Sequence, residues 1–128
     1  AFPGGRRDPG DVDLCYTALR EAHEEIGLLP ELVDVVGPMD SLVSRFGIKV
    51  TPYVGVVPDQ FEIIPNASEI EEVFRVPLDH VLNPSNYLVH SRRWRGQRRY
   101  YYAVPYGPYY IWGATARMLR AWATRMNQ

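Results

Sequence analysis

A chain of 128 residues with 46% hydrophobic content and a formal net charge of −1 has the composition of an ordinary globular domain, long enough to bury one core. The near-neutral balance argues against a dedicated nucleic-acid module, and no run approaches the ~18 consecutive apolar residues that a membrane span needs. The single cysteine, Cys15, rules out an internal disulfide framework and points to a reducing, cytoplasmic setting.

The first element in chain order carries most of the chemistry. A glycine-rich turn, Phe2-Pro3-Gly4-Gly5, precedes Asp11 and the run Arg20-Glu21-Ala22-His23-Glu24-Glu25-Ile26-Gly27-Leu28. On a helical wheel with Glu21 at zero, Glu25 falls at about 40° and Glu24 at about 300°, with Thr17 in the same sector. Cys15, Ala18, Leu19, Ala22 and Ile26 fall together on an adjoining sector. The expected helix therefore buries one side and carries three carboxylates beside it. Asp11 or Asp13 is placed to cap its start, Gly27 suits the left-handed position after its last turn, and Pro30 forbids continuation.

A purely structural helix gains nothing from like charges at i, i+3 and i+4. They repel by a few tenths of a kcal/mol per pair (~0.2–0.5), and the dipole near a helix C-terminus disfavours anions as well. A divalent cation reverses that penalty, which makes Glu21, Glu24 and Glu25 candidate ligands for a hard metal ion. Arg20, four residues before Glu24, is placed to hydrogen-bond and orient it.

Downstream, residues 31–36 are a short β-prone run closed by Gly37-Pro38, and residues 48–57 are strand-like, with Pro52 suggesting a bulge or an edge. Residues 61–64 and 72–76 are expected as further strands, and residues 77–82 as a brief helix stopped by Asn83-Pro84. Strands at residues 87–94 and 98–104 flank Arg95-Gly96-Gln97, a hairpin signal. Residues 113–126 read as an amphipathic closing helix with Ala114, Met118, Leu119 and Trp122 inward, and Phe74 and Trp112 are expected in the core. This order predicts an α/β domain with a mixed sheet between helices.

The first motif resembles the Nudix hydrolase box, G-x5-E-x7-R-E-U-x-E-E-x-G-U, where U is a bulky apolar residue. Gly5, Arg20, Glu21, Glu24, Glu25, Gly27 and Leu28 match it. Asp11 stands in place of the first Glu, one extra residue separates it from Arg20, and Ala22 is a small U. These departures look like the coenzyme A pyrophosphatase branch, whose box runs F-P-G-G-[KR]-x-D-P-x-D and then T-A-L-R-E-A-x-E-E-I-G-L. Phe2 to Gly5, Arg6, Asp8-Pro9, Asp11 and residues 17–28 follow it, and residues 69–78 (EIEEVFRVPL) and 111–116 (IWGATA) are similar to later segments of that branch. The resemblance implies a Nudix-type α/β/α sandwich over residues 1–128 as a single domain. Because strands precede the F-P-G-G turn in this family, the N-terminal strands are expected to be missing and the domain to be N-terminally incomplete.

The same resemblance implies a site. Glu21, Glu24 and Glu25 hold Mg²⁺ or Mn²⁺, helped by a main-chain carbonyl at Gly4 or Gly5. Glu21, or Glu69 from a remote strand, takes the proton of the attacking water, and Arg20 orients the acids. The implied partner is a small nucleoside diphosphate, coenzyme A or its acyl ester, cut to 3′,5′-ADP and (acyl-)4′-phosphopantetheine. Its phosphates need cations, for which Arg6, Arg92 and Arg93 are the candidates. The cluster of Arg92, Arg93, Arg95, Arg98 and Arg99 around Trp94 and Tyr100 also suits RNA, although the net charge argues against that. Another substrate such as ADP-ribose or a dinucleotide stays open, as does a catalytically silent binding protein, which the intact acids disfavour. A homodimer is left open.

Overall fold

The computed structural model describes all 128 residues. Contacts divide the chain into two compact units, residues 2–74 and residues 75–128.

In the first unit, helix α1 spans Leu14–Ile26. Asp13 caps it, its carboxylate accepting from the Tyr16 N–H at 2.8 Å. Gly27 ends it in the left-handed conformation (φ 71°) and donates to the His23 carbonyl at 3.0 Å. The last carbonyls of α1 do not face solvent alone. Ile64 N–H donates to Ile26 O and Asn66 N–H to Glu25 O, each at 2.8 Å. Residues 61–64 are not the strand the sequence predicts, and the Ile64 N–H is committed to the helix end instead of a ladder. Residues 72–76, also expected as a strand, are likewise irregular.

After a 3₁₀ turn at Pro30–Leu32, strand β1 (Asp34–Pro38) pairs antiparallel with β4 (Tyr53–Val56). Between them, β2 (Leu42–Val43) and β3 (Lys49–Val50) form a short antiparallel pair. The bulge falls in β1, where the register passes from Val35↔Gly55 to Gly37↔Val54 and leaves Val36 as the extra residue. Pro52, expected at a bulge, instead separates β3 from β4, and its carbonyl accepts from the Met39 N–H at 2.8 Å.

The second unit contains α2 (Leu78–Val81), a 3₁₀ turn at Pro84–Asn86, the hairpin β5 (Leu88–Trp94) and β6 (Gln97–Ala103), and α3 (Gly113–Met126). The hairpin turns on Arg95 and Gly96, both at positive φ (50° and 76°), which matches the right-handed twist of the strands. Its core gathers Val81, Val104, Ala116 and Leu119, with Tyr87, Tyr102 and Trp122 packed against it. On α3 the enclosed residues are Ala116, Leu119 and Ala123, spaced i, i+3 and i+7; Ala114, expected inward, is exposed. Trp112 and Phe74 are also exposed rather than in the core, at 44% and 38%.

The α/β class holds, but the sheet is not one mixed sheet. It consists of three two-stranded antiparallel pairs. Parallel pairing needs a long crossover, usually through a helix, and here partner strands are joined by turns, loops or another hairpin. No helix is long and apolar enough to cross a membrane.

Gly27 carries two constraints at once. A Cβ there would strain the left-handed backbone and lie 2.8 Å from the Ile64 Cβ. Gly27→Ala is therefore expected to destabilise the fold by at least about 1–2 kcal/mol, measured as a lower urea midpoint at unchanged m-value.

Candidate active site

The site is built around one guanidinium. Arg20, in the middle of α1, reaches back to the loop before the helix and forward along its own face. Its Nε donates to Asp11 Oδ1 at 3.0 Å and its Nη2 to Asp11 Oδ2 at 3.1 Å, a two-point clamp. The same side chain pairs with Asp8 at 3.3 Å, Glu21 at 3.3 Å and Glu24 at 3.2 Å, and donates to the Arg6 carbonyl at 3.2 Å. The expected Arg20–Glu24 contact is present, as one of four ion pairs on this residue.

Asp11 is the buried end of this network, at 3% exposure. Apart from Arg20, its carboxylate accepts from the Thr17 hydroxyl and the Asp8 N–H, both at 2.9 Å. It is not the helix cap, a position that Asp13 fills; it fastens the loop to the second turn of α1. Arg7 closes the loop from the other side, donating to the Asp11 carbonyl at 3.0 Å and the Val12 carbonyl at 3.2 Å. Asp8 and Thr17 stand out in the sequence only as matches to the box and, for Thr17, by its sector of the wheel; Arg7 does not stand out at all. The R-x-D-P-x-D run already held the signal, since a charge ringed by donors six to nine residues away is how a short loop is strapped down.

Strapping the loop lays Gly4 and Gly5 over the acidic face of α1. Gly4 N–H donates to Glu25 Oε2 at 3.0 Å. A side chain at Gly5 would put its Cβ 2.7 Å from the Glu21 carboxyl carbon, so any larger residue obliges that carboxylate to move. Burial raises the Glu21 pKa; Arg20 opposes the rise, and the charges of Glu24 and Glu25 add to it. Asp11 behaves oppositely. Hydrogen bonds from Arg20 hold its pKa down at about 2 against burial, with Asp8 and Thr17 helping.

The three glutamates do not close into a cage: no group of three or more His, Cys, Asp or Glu side chains lies close enough to hold a metal ion. They stand side by side as hard oxygen donors on one helix face, with Glu21 and Glu25 half-buried and Glu24 exposed. An open set of hard oxygen donors suits a divalent cation whose remaining ligands are water or substrate oxygens. Gly5 adds close backbone approach.

The remaining expected residues are distributed unevenly. Glu69 is exposed and ends a turn rather than opening a strand, its N–H donating to the Asn66 carbonyl at 2.9 Å. Through Asn66, that turn adjoins the C-terminal end of α1. Arg6 is exposed on the strapped loop. Arg92 and Arg93 lie in the second unit and are not brought together, because consecutive strand residues face opposite sides; Arg92 pairs across with Arg99, Arg93 with Arg98.

A NUDIX domain model matches residues 1–99. The chain belongs to the Nudix family. It is 36% identical over 127 residues to the uncharacterized Nudix hydrolase NudL of Enterobacter sp. (strain 638), a match covering 99% of this chain and 66% of the relative. Against the peroxisomal coenzyme A diphosphatase NUDT7 of Mus musculus it is 51% identical over 86 residues, 67% of this chain and 36% of that protein. Against Nudix hydrolase 15, mitochondrial, of Arabidopsis thaliana it is 39% identical over 125 residues, 93% of this chain and 44% of that protein. The chain thus spans about two thirds of the NudL length and less than half of the other two.

Two outcomes test this geometry. Because the folded pKa of Asp11 lies below its unfolded value of 3.8, its stabilising contribution is complete above that value and is lost as pH falls towards about 2. Wild-type protein is expected to lose more stability across this window than Asp11→Asn, read as urea midpoints at each pH. Gly5→Ala should displace Glu21 and weaken Mn²⁺ binding about tenfold or more, with an unchanged far-ultraviolet circular dichroism spectrum.

Proposed function

We propose that this protein is a divalent-metal-dependent hydrolase that cleaves the diphosphate of coenzyme A or its acyl esters to 3′,5′-ADP and (acyl-)4′-phosphopantetheine. The observation that carries the hydrolase reading is the Gly4-Gly5 segment lying on Glu21 and Glu25 under the Arg20 clamp. The choice of coenzyme A rests on the box departures at Asp11 and on the 51% identity to a coenzyme A diphosphatase.

Glu21, Glu24 and Glu25 would hold the metal. When bound, a Mg²⁺ or Mn²⁺ ion neutralises phosphate oxygens and acidifies water, the two things a diphosphate resists. The chain's own residues set the geometry. Arg20 keeps Glu21 and Glu24 from swinging apart under mutual repulsion, and Gly4 N–H fixes one Glu25 oxygen. Glu21 takes the proton of the attacking water, and the exposed Glu69 is the remaining candidate. Arg6, on the loop of the same unit, offers a cation for substrate phosphate.

With Mg²⁺ or Mn²⁺ and coenzyme A, product chromatography should show 3′,5′-ADP. Glu25→Gln should lower turnover by more than about 100-fold with the fold intact, whereas Glu69→Gln should stay within a few-fold of wild type, roughly a kcal/mol or less. AMP released from ADP-ribose or a dinucleotide, with coenzyme A untouched, would move the substrate assignment elsewhere in the family. Near-wild-type turnover by Glu25→Gln at saturating Mg²⁺ would sink the metal assignment.

A further inference from the structure

The overall charge of −1 hides a segregation. Residues 80–128 contain eight of the thirteen arginines and no Asp or Glu, so the carboxylates all lie at or before Asp79. Within that basic segment, strand alternation sorts the hairpin into two faces. His90, Arg92 and Trp94, with cross-strand partners Tyr101, Arg99 and Gln97, share one face. Tyr102 lies on the other, packed against the core, and Arg98 is held there by the Ser91 hydroxyl at 2.8 Å.

The first face is a compact aromatic cluster with cations beside it. His90 and Tyr110 stack at 5.8 Å between centroids; Tyr101 meets Trp112 edge-on at 5.5 Å; Tyr110 lies 6.5 Å from Trp112. Arg92 sits over Trp112 at 5.6 Å and Arg99 over Trp94 at 5.7 Å. A guanidinium stacked on a ring keeps its in-plane N–H donors, which match a phosphate's oxygens. Tyr110 and Trp112 are 47% and 44% exposed, although their rings are already ordered by neighbours. Exposed rings held by stacked and edge-on neighbours, with unopposed cations and no carboxylate in the segment, are complementary to a flat base carrying a dianionic phosphate.

We infer that this hairpin face binds a purine nucleotide bearing a ribose phosphomonoester, with Arg92 and Arg99 on the phosphate and the Tyr110–Trp112 cluster against the base. The occupant is one nucleotide and not a strand, because the rings form a single cluster and not a row of platforms along a groove. The identity of the base as a purine, and with it the choice of adenosine 3′,5′-bisphosphate as the probe, rests on the coenzyme A reading.

The test is calorimetric titration of the full chain, in EDTA so that the acidic site is idle, with adenosine 3′,5′-bisphosphate and with 5′-AMP. The bisphosphate should bind about tenfold tighter, the worth of one added charge-assisted contact. Arg92→Gln and Arg99→Gln should each weaken it about tenfold, while Arg98→Gln, removing the same charge from the opposite face, should stay within about twofold. Equal losses in all three variants would reduce the effect to general charge and overturn the proposal. So would no binding by the wild-type chain, or a single-stranded oligonucleotide binding more tightly than the bisphosphate. Coenzyme A turnover separates the two claims. If wild type binds the bisphosphate in this pattern but does not cleave coenzyme A, the substrate reading fails and this one stands. If coenzyme A is cleaved but the wild-type chain does not bind the bisphosphate in EDTA, this one fails alone.

Discussion

A buried carboxylate and the guanidinium that neutralises it hold the first unit in its working shape. Asp11 is withdrawn from water, which by itself costs stability, and the cost is offset by a two-point clamp from Arg20 with Thr17 and Asp8 filling the remaining lone pairs. The clamp joins two parts of the chain that local propensity alone would not bring together: a glycine- and proline-rich loop and the middle of α1. Gly4 and Gly5 reach Glu25 and Glu21 because the loop is tied down at Asp11. The order of dependence runs from the ion pair to the loop path to the acidic surface of α1.

The same arginine settles the electrostatic problem of that surface. Asp8, Asp11, Glu21 and Glu24 all pair with Arg20, and a single positive charge cannot neutralise four acids. What remains is a helix face with excess negative charge whose members are held in place instead of spreading into solvent. Excess fixed charge next to a flexible-free backbone segment is poor for stability and suited to a divalent cation that arrives with phosphates. The distribution of charge along the chain extends this division: the acids belong to residues 1–79, and most arginines follow them.

Features set by short-range chemistry were legible in the sequence. Gly27 and Asp13 delimit α1, Arg95-Gly96 makes the hairpin turn, and α3 ends at Met126. Those set by long-range partners were not. Residues 61–64 have strand composition, yet they run irregularly, with the Ile64 N–H serving the Ile26 carbonyl at the end of α1. Trp112 reads as core on hydrophobicity, but its ring lies in an exposed cluster with Tyr101, Tyr110 and Arg92. At the site, the three glutamates and the Arg20–Glu24 contact were readable from helical spacing. The roles of Asp8, Asp11 and Thr17 were not, because they depend on where the loop folds back.

The central claim is that the face of α1 bearing Glu21, Glu24 and Glu25, organised by Arg20 and Asp11, is a divalent-metal site. Titrating Mn²⁺ into the protein and following the free ion by electron paramagnetic resonance tests it without any assumption about substrate. The account predicts saturable binding by the wild type, weakened in Arg20→Gln and lost in Glu25→Gln with the helix content unchanged. Identical isotherms for all three proteins would contradict it.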